Sequence, residues 1–132
     1  MFGQQNILKK TFDKYGWELV EDQIPNDRWT AEIWLIKSIW SPIDCYAFLS
    51  FVVDPHFHNI SRLQNIATRN ENVWSIGISS IQPSTWRIDN FDIDTSDDFY
   101  EEIFINRKWE KRIPEFFEAL AKLRERYNKL RQ

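Results

Sequence analysis

The chain has 132 residues, of which 42% are apolar, 28% charged and 16% aromatic, a composition that excludes an intrinsically disordered protein. Its net charge of −3 is unevenly spread: residues 1–106 carry eight Lys or Arg against sixteen Asp or Glu, and residues 107–131 carry nine against four. Because most of the body is acidic, nonspecific nucleic-acid binding is not expected.

The first predicted elements are a helix over residues 4–15 and a strand over residues 17–21. Leu8, Phe12 and Tyr15 recur at helical spacing. Gly16 follows them, at the place where a left-handed residue commonly ends a helix. The next five residues alternate between apolar and polar, which is typical of a half-buried strand.

A β-hairpin gives the strongest structural signal in the chain. Its strands cover residues 28–40 and 44–53, and Pro42 separates them because proline cannot donate to a central sheet ladder. A turn centred on this proline pairs Leu35 with Leu49 across the hairpin. This register decides which side chains of the two strands share a face.

The predicted register gathers aromatic side chains on the second face of the hairpin. Aromatic residues dominate ligand grooves and protein interfaces, so this face is the candidate binding site. Its members are Trp34, Trp40, Tyr46 and Phe48. The other face is apolar as well, so the chain's own C-terminal helix or another molecule must cover the second one.

Residues 59–93 predict a short helix and two further strands. Asn59 caps the helix, which runs to about residue 68, and Pro83 lies in a turn between strands over 73–81 and 85–93. A shift of apolar phase in the second strand indicates a bulge near Asn90. The helix residues expected to face inward are Ile60, Leu63 and Ala67.

A C-terminal helical region is predicted from Thr95 or Ser96 onward. Acidic residues follow that start and suit the N-terminal end of a helix dipole. Ile113 and Pro114 break or kink the region, since proline removes a helix hydrogen bond. Beyond the proline an apolar stripe recurs at helical spacing: Phe116, Phe117, Leu120, Leu123, Tyr127 and Leu130.

The predicted fold is a single α+β domain over residues 1–132. It is a single layer of twisted antiparallel sheet with about five strands, packed by N- and C-terminal helices. The order of elements is similar to that of type III secretion chaperones and small bacterial immunity proteins. This likeness concerns element order only and implies nothing about individual residues.

A metal site is one hypothesis for chemistry. Asp54, His56 and His58 share the parity of an extended segment and offer ligands that zinc or another divalent ion accepts. A fourth ligand would come from Asp89, Asp92 or Asp94. A polar loop with solvated histidines explains the same residues more simply, and the acidic run at 89–98 does not match a calcium-binding loop. No cofactor is therefore expected.

Other patterns are weaker. Cys45 lies on an apolar strand and is expected to be a buried, inert thiol. The glycines, only three in number, build no phosphate-binding loop. A basic stripe on the last helix could contact RNA or an acidic partner, although a solvated amphipathic helix is the simpler interpretation: Lys122, Arg124, Arg126, Lys129 and Arg131.

The leading functional hypothesis is a noncatalytic interaction module that associates with itself or with another protein. It would use the aromatic hairpin or the C-terminal helix. The alternatives are a small metal-dependent enzyme that uses Asp54, His56 and His58, and a binder of small apolar ligands. Neither a signal peptide nor a bilayer-spanning run is evident, so a cytoplasmic location without membrane association is expected.

Overall fold

The computed structural model describes residues 3–41, 44–86, 98–105 and 109–130. In chain order the elements are α1 (Gly3–Thr11), β1 (Trp17–Gln23), β2 (Thr30–Ser38), β3 (Tyr46–Val53), α2 (Ile66–Glu71), β4 (Val73–Ser79), β5 (Tyr100–Phe104) and α3 (Ile113–Leu130). Short 3-10 helices cover Asp13–Tyr15, Ile60–Gln64 and Trp109–Arg112. None of the helices in these ranges is long and apolar enough to cross a membrane.

The strands form one antiparallel sheet in the order β1-β2-β3-β4-β5, so each strand pairs with its neighbour in sequence. Helices α1 and α3 contribute apolar side chains to the same core cluster on one face of this sheet. The predicted α+β class, with a single antiparallel sheet packed by N- and C-terminal helices, is therefore confirmed.

The indole of Trp34 lies at the centre of that core and is fully buried. Its ring meets the edge of Phe12 at 5.9 Å and the ring of Phe51 at 4.5 Å between centroids. Phe12 in turn contacts Phe117 of α3 at 6.0 Å. These rings connect the N-terminal helix, the hairpin and the C-terminal helix through one set of contacts, and aromatic pairs of this kind add to the free energy of area burial.

The predicted hairpin register is wrong by one residue. Trp34 pairs with Leu49, and Leu35 pairs with Phe48, where the prediction paired Leu35 with Leu49. A slip of one residue moves every side chain of one strand to the opposite face relative to its partner. Because both faces of the hairpin are apolar, the hydrophobic pattern could not select between the two registers.

The predicted helical region beginning at Thr95 or Ser96 is wrong over Tyr100–Phe104, which forms the edge strand β5. Buried Ile103 stands between exposed Glu102 and Phe104, an alternation that is typical of a strand. The return strand expected at 85–93, with its bulge, falls mostly outside the described residues.

Helix α3 begins at Ile113, directly after a 3-10 helix, with Pro114 as its second residue. The proline therefore starts the helix, since its fixed φ suits the first turn and its missing N–H group would have no partner there. The expected apolar stripe of α3 is buried as far as Leu123, and half-buried Tyr127 still packs against the core, whereas Leu130 is exposed.

The short helical segment after β3 differs in its cap from the prediction. Asn65 caps α2 by accepting a hydrogen bond from the backbone N–H of Ala67 at 2.8 Å, whereas Asn59 makes no side-chain cap bond. Leu63 is buried as expected, but Ile60 and Ala67 are exposed. The segment splits into a 3-10 helix and an α-helix, so a single helical period does not describe it.

Gly16 ends the N-terminal helical segment in the left-handed conformation, with φ of 79°, as the sequence predicts. A Cβ atom at this position would overlap the ring of Trp40. We expect Gly16→Ala to lower the free energy of unfolding by about 1–2 kcal/mol from the backbone conformation alone. The total loss should be larger, because the indole of Trp40 must also move. Urea unfolding would measure the loss.

The same substitution in a Trp40→Ala background separates the two causes, because the backbone cost remains and the overlap does not. An equal loss in both backgrounds would show that the indole does not press on Gly16. Gly77→Ala is the matched control: its Cβ would meet the Tyr100 hydroxyl at 3.1 Å, an end of a side chain that can turn aside.

Candidate functional site

The structure separates the aromatic side chains that the sequence placed on one face. Trp34 is buried beneath α1 and α3, whereas Phe48 is buried on the opposite face against Trp86, with ring centroids 5.3 Å apart. Tyr46 packs beside Phe48 and is half-buried. Only Trp40 is exposed, with 59% of its surface accessible. No shared binding face exists for these side chains, because the register differs from the predicted one.

Trp40 is held in place although it is largely exposed. Its ring lies against the backbone of Gly16, and the backbone N–H of the preceding Ile39 donates to the Gly16 carbonyl at 2.8 Å. The backbone N–H of Trp40 donates to the Ser38 hydroxyl at 3.3 Å. The guanidinium of Arg124 lies over the indole, 5.0 Å from its centroid, and 5.2 Å from that of buried Trp17. These contacts reduce the number of conformations that the indole can adopt.

Arg124 is ordered by the same surroundings. Its Nη1 donates to the carbonyls of Tyr15 and Gly16 and to the Ser38 hydroxyl at 3.3–3.4 Å. Burial lowers the pKa of this guanidinium below its usual value, and the nearby Cys45 only partly opposes that shift. Among the described residues no carboxylate lies within ion-pair distance of Arg124, and its Nε and Nη2 have no hydrogen-bond partner. The guanidinium is therefore partly desolvated, and its Nε and Nη2 groups remain as hydrogen-bond donors.

A hollow of about 300 Å³ lies beside Trp40, between the 3-10 helix after α1 and the first three turns of α3. We call it the Trp40 groove, and its lining residues are Tyr15, Trp40, Pro114, Phe117, Glu118, Ala121 and Arg124. Tyr15 stacks on Phe117 at 4.2 Å with an angle of 9° between the rings, which makes one wall rigid. Glu118 is exposed, and within the described residues it has neither an ion-pair nor a hydrogen-bond partner.

The residues of the predicted metal site do not converge. Asp54 and His56 form an exposed pair, with Oδ1 and Nδ1 3.2 Å apart, and the His56 ring meets Trp74 edge-on. Across the described residues, which include His58, no group of three His, Cys, Asp or Glu side chains could hold a metal ion. The additional ligands named from the sequence, Asp89, Asp92 and Asp94, lie outside those ranges.

The basic stripe of α3 does not form one positive surface. Lys122 pairs with Glu101 of β5 at 3.6 Å, and Arg126 lies over the ring of Phe99 at 5.7 Å. Arg124 points to the opposite side of the helix, into the Trp40 groove. Lys129 is exposed, and Arg131 lies outside the described residues. The cations are thus divided between two flanks of α3. Cys45 is fully buried, as expected.

A second hollow, of about 350 Å³, lies on the sheet face opposite α1 and α3. Hydroxyl groups of Ser50, Ser79 and Tyr100 line it, together with Asp98 and neighbouring apolar residues. The Tyr100 ring covers Gly77, which has no side chain to oppose it. The sequence did not indicate this hollow, because it joins residues from three strands that no local repeat connects.

A half-buried polar cluster surrounds Glu32 at the other end of β2. Gln5 of α1 donates from Nε2 to the Glu32 carboxylate at 2.9 Å and to Asn70 Oδ1 of α2 at 2.8 Å. Burial raises the pKa of Glu32, and the nearby Asp22 carboxylate raises it further, while Lys9 opposes the shift. Sequence reasoning missed this cluster, since its members lie 27 and 65 residues apart.

Comparisons with known proteins give no relative. Neither a protein family, nor a curated protein, nor a solved structure matches this chain. The physical character of its surface is therefore the ground for a functional proposal.

The stability of the protein should depend on pH through Glu32. Its pKa in the folded state lies above that of the unfolded chain, so the folded state binds more protons between the two values. Stability contributed by this group therefore falls as pH rises from about 4.5 through the raised pKa. Glu32→Gln has no titrating carboxyl at this position and therefore lacks this decline. As pH rises through that range, the unfolding free energy of the variant should increase relative to that of the wild type. Urea titrations at several pH values would measure it, and parallel curves would contradict the assignment.

Proposed function

We propose that this protein is a noncatalytic interaction module that associates with a second copy of itself through the Trp40 groove. The observation that carries the proposal is Trp40 itself, an indole with 59% of its surface exposed and yet held by Gly16 and Arg124. A single exposed apolar residue is ordinary on a protein surface. An exposed tryptophan that is also ordered, beside a groove, has the character of an interface anchor.

The composition of the groove supports protein binding. Trp, Tyr and Arg are the residue types that contribute most to interface energies, and Trp40, Tyr15 and Arg124 lie together here. Because stacking and hydrogen bonds already order these side chains, little conformational entropy remains to be lost on association. Rigid aromatic walls and a fixed guanidinium favour recognition of a complementary surface.

Charge complementarity favours a second copy as the occupant. Glu118 and Arg124 both line the groove, and neither has a charged partner among the described residues of its own chain. A two-fold interface brings each residue of a patch against the corresponding patch of the other copy. A patch that contains one unpaired anion and one unpaired cation can therefore satisfy both in a symmetric dimer.

The sheet edges are poorly suited to the same task. Among the described strands, β1 and β5 lie at the two edges of the sheet. Strand β1 carries Glu18, Glu21 and Asp22, and β5 carries Glu101 and Glu102. Edge-to-edge pairing of two copies would bring carboxylates together, and inward or edge charges of this kind are a common protection against such pairing. Self-association is therefore directed away from the edges and toward the Trp40 groove.

The wild-type protein should sediment as a dimer at micromolar concentration. Trp40→Ala should weaken the dimer by about 30-fold or more, since loss of an anchor residue costs about 2 kcal/mol or more. Sedimentation velocity over a dilution series would give the dissociation constants, and circular dichroism would establish that the variant is folded.

Phe104→Ala is the matched control, because this side chain is 49% exposed on the opposite face of the sheet. It should leave the dimer unchanged. A wild-type protein that remains monomeric throughout the series would overturn self-association, and an equal effect of both substitutions would overturn the assignment to the Trp40 groove.

A further inference from the structure

We infer that the two copies pack their α3 helices antiparallel, with the two-fold axis passing close to Ala121. This inference rests on the proposed self-association and goes further, because it names the geometry and the ion pairs of the interface. It follows from the positions of Glu118, Ala121 and Arg124 within the Trp40 groove.

Ala121 lies midway between the two charged residues. Glu118 precedes it by three residues and Arg124 follows it by three, so each lies about 4.5 Å from Ala121 along the helix axis. Side chains three residues apart lie near one another on a helix surface. The anion and the cation therefore stand symmetrically before and after one small residue.

An antiparallel two-fold arrangement matches this symmetry. Rotation about an axis through Ala121 reverses the helix direction, so Glu118 of one copy comes beside Arg124 of the other. The same operation places Arg124 of the first copy beside Glu118 of the second, and two equivalent ion pairs form. A parallel arrangement would instead place like charges side by side, which opposes association.

The small side chain at the centre permits close approach of the two helices. Helix axes in contact lie about 8–10 Å apart, and the shorter distance needs small residues at the crossing point. Ala121 provides a methyl group there and is itself half-buried beside Trp40. The exposed indole on the flank then covers part of the neighbouring helix.

Arg124 is prepared for its role in the pair. Its Nη1 is held by protein carbonyls, which leaves Nε and Nη2 for a carboxylate. Part of its desolvation has already taken place in the single chain, because the indoles of Trp17 and Trp40 cover it. A guanidinium binds a carboxylate best through two neighbouring N–H groups, as these two atoms provide.

A cysteine placed on the axis tests the geometry. In Ala121→Cys the two thiols of a dimer would meet within disulfide range, whereas Lys122→Cys points toward β5 and serves as the matched control. The native Cys45 is fully buried and does not compete. Under mild oxidation at micromolar concentration, Ala121→Cys should form a covalent dimer at least tenfold faster than the control. Equal rates would overturn the inference.

Charge reversal gives a second, independent test. Glu118→Arg and Arg124→Glu should each weaken self-association at least tenfold, because each homodimer would contain two like-charged contacts. An equimolar mixture should recover the dimer, since in the heterodimer both contacts again join opposite charges. Failure of the mixture to recover, with both variants folded by circular dichroism, would overturn the pairing. If Arg124→Glu does not fold, the cysteine test alone decides.

The outcomes separate this inference from the proposal on which it rests. A wild-type dimer whose Ala121→Cys variant cross-links no faster than the control would refute the antiparallel geometry and leave self-association intact. A monomeric wild-type protein would refute both.

Discussion

The burial of Trp34 is the contact on which the rest of this structure depends. The indole occupies the space between the sheet and both packed helices, and it contacts Phe12 and Phe51 directly. Only the observed register brings Trp34 beside Leu49 on the helix-covered face. The same register necessarily turns Leu35 and Phe48 toward the opposite face, where Trp86 covers them. The position of this one residue thus decides which side chains of the hairpin lie on the helix-covered face and which lie on the opposite face.

The position of Trp40 follows from the same arrangement. Strand β2, which holds Trp34, ends at Ser38. The chain beyond it passes next to Gly16, whose carbonyl accepts a hydrogen bond from the backbone N–H of Ile39. The absence of a side chain at Gly16 leaves room for the indole, and Arg124 of α3 closes over it. The most exposed tryptophan whose side chain is described is therefore fixed by a glycine on one element and a cation on another. Its order is a consequence of tertiary contacts and not of the local sequence.

The charge distribution acquires a physical meaning in the folded chain. Acidic residues occupy both edge strands, whereas the cations of α3 divide between the β5 flank and the Trp40 groove. The edges are thereby protected from pairing with other strands. On the groove side, Arg124 and Glu118 remain without charged partners in the described part of the chain, which is one ground for the proposed self-association through that surface.

Local patterns were sufficient for much of the fold. Several elements follow from patterns among a few neighbouring residues, because helical and strand repeats are local properties. These elements are helix α1, the left-handed Gly16, strands β1 to β4 and the apolar stripe of α3. The sequence also identified Trp40 as a candidate binding residue, but it grouped Trp40 with aromatic side chains that the structure places on different faces of the sheet. The acidic strand β5 was mistaken for helix, since capping residues and edge charges look alike in sequence.

The remaining features depended on contacts between distant residues. The hairpin register could not be read from a pattern that is apolar on both faces, and its choice separated Trp34 from Phe48. Arg124 bonds to Tyr15 across 109 residues of sequence, and Gln5 reaches Asn70 across 65. The sequence by itself determined most of the helical and extended segments, with β5 as the exception, and which residues are apolar. The tertiary structure alone decided which of them meet, because packing brings together side chains whose separation along the chain carries no local signal.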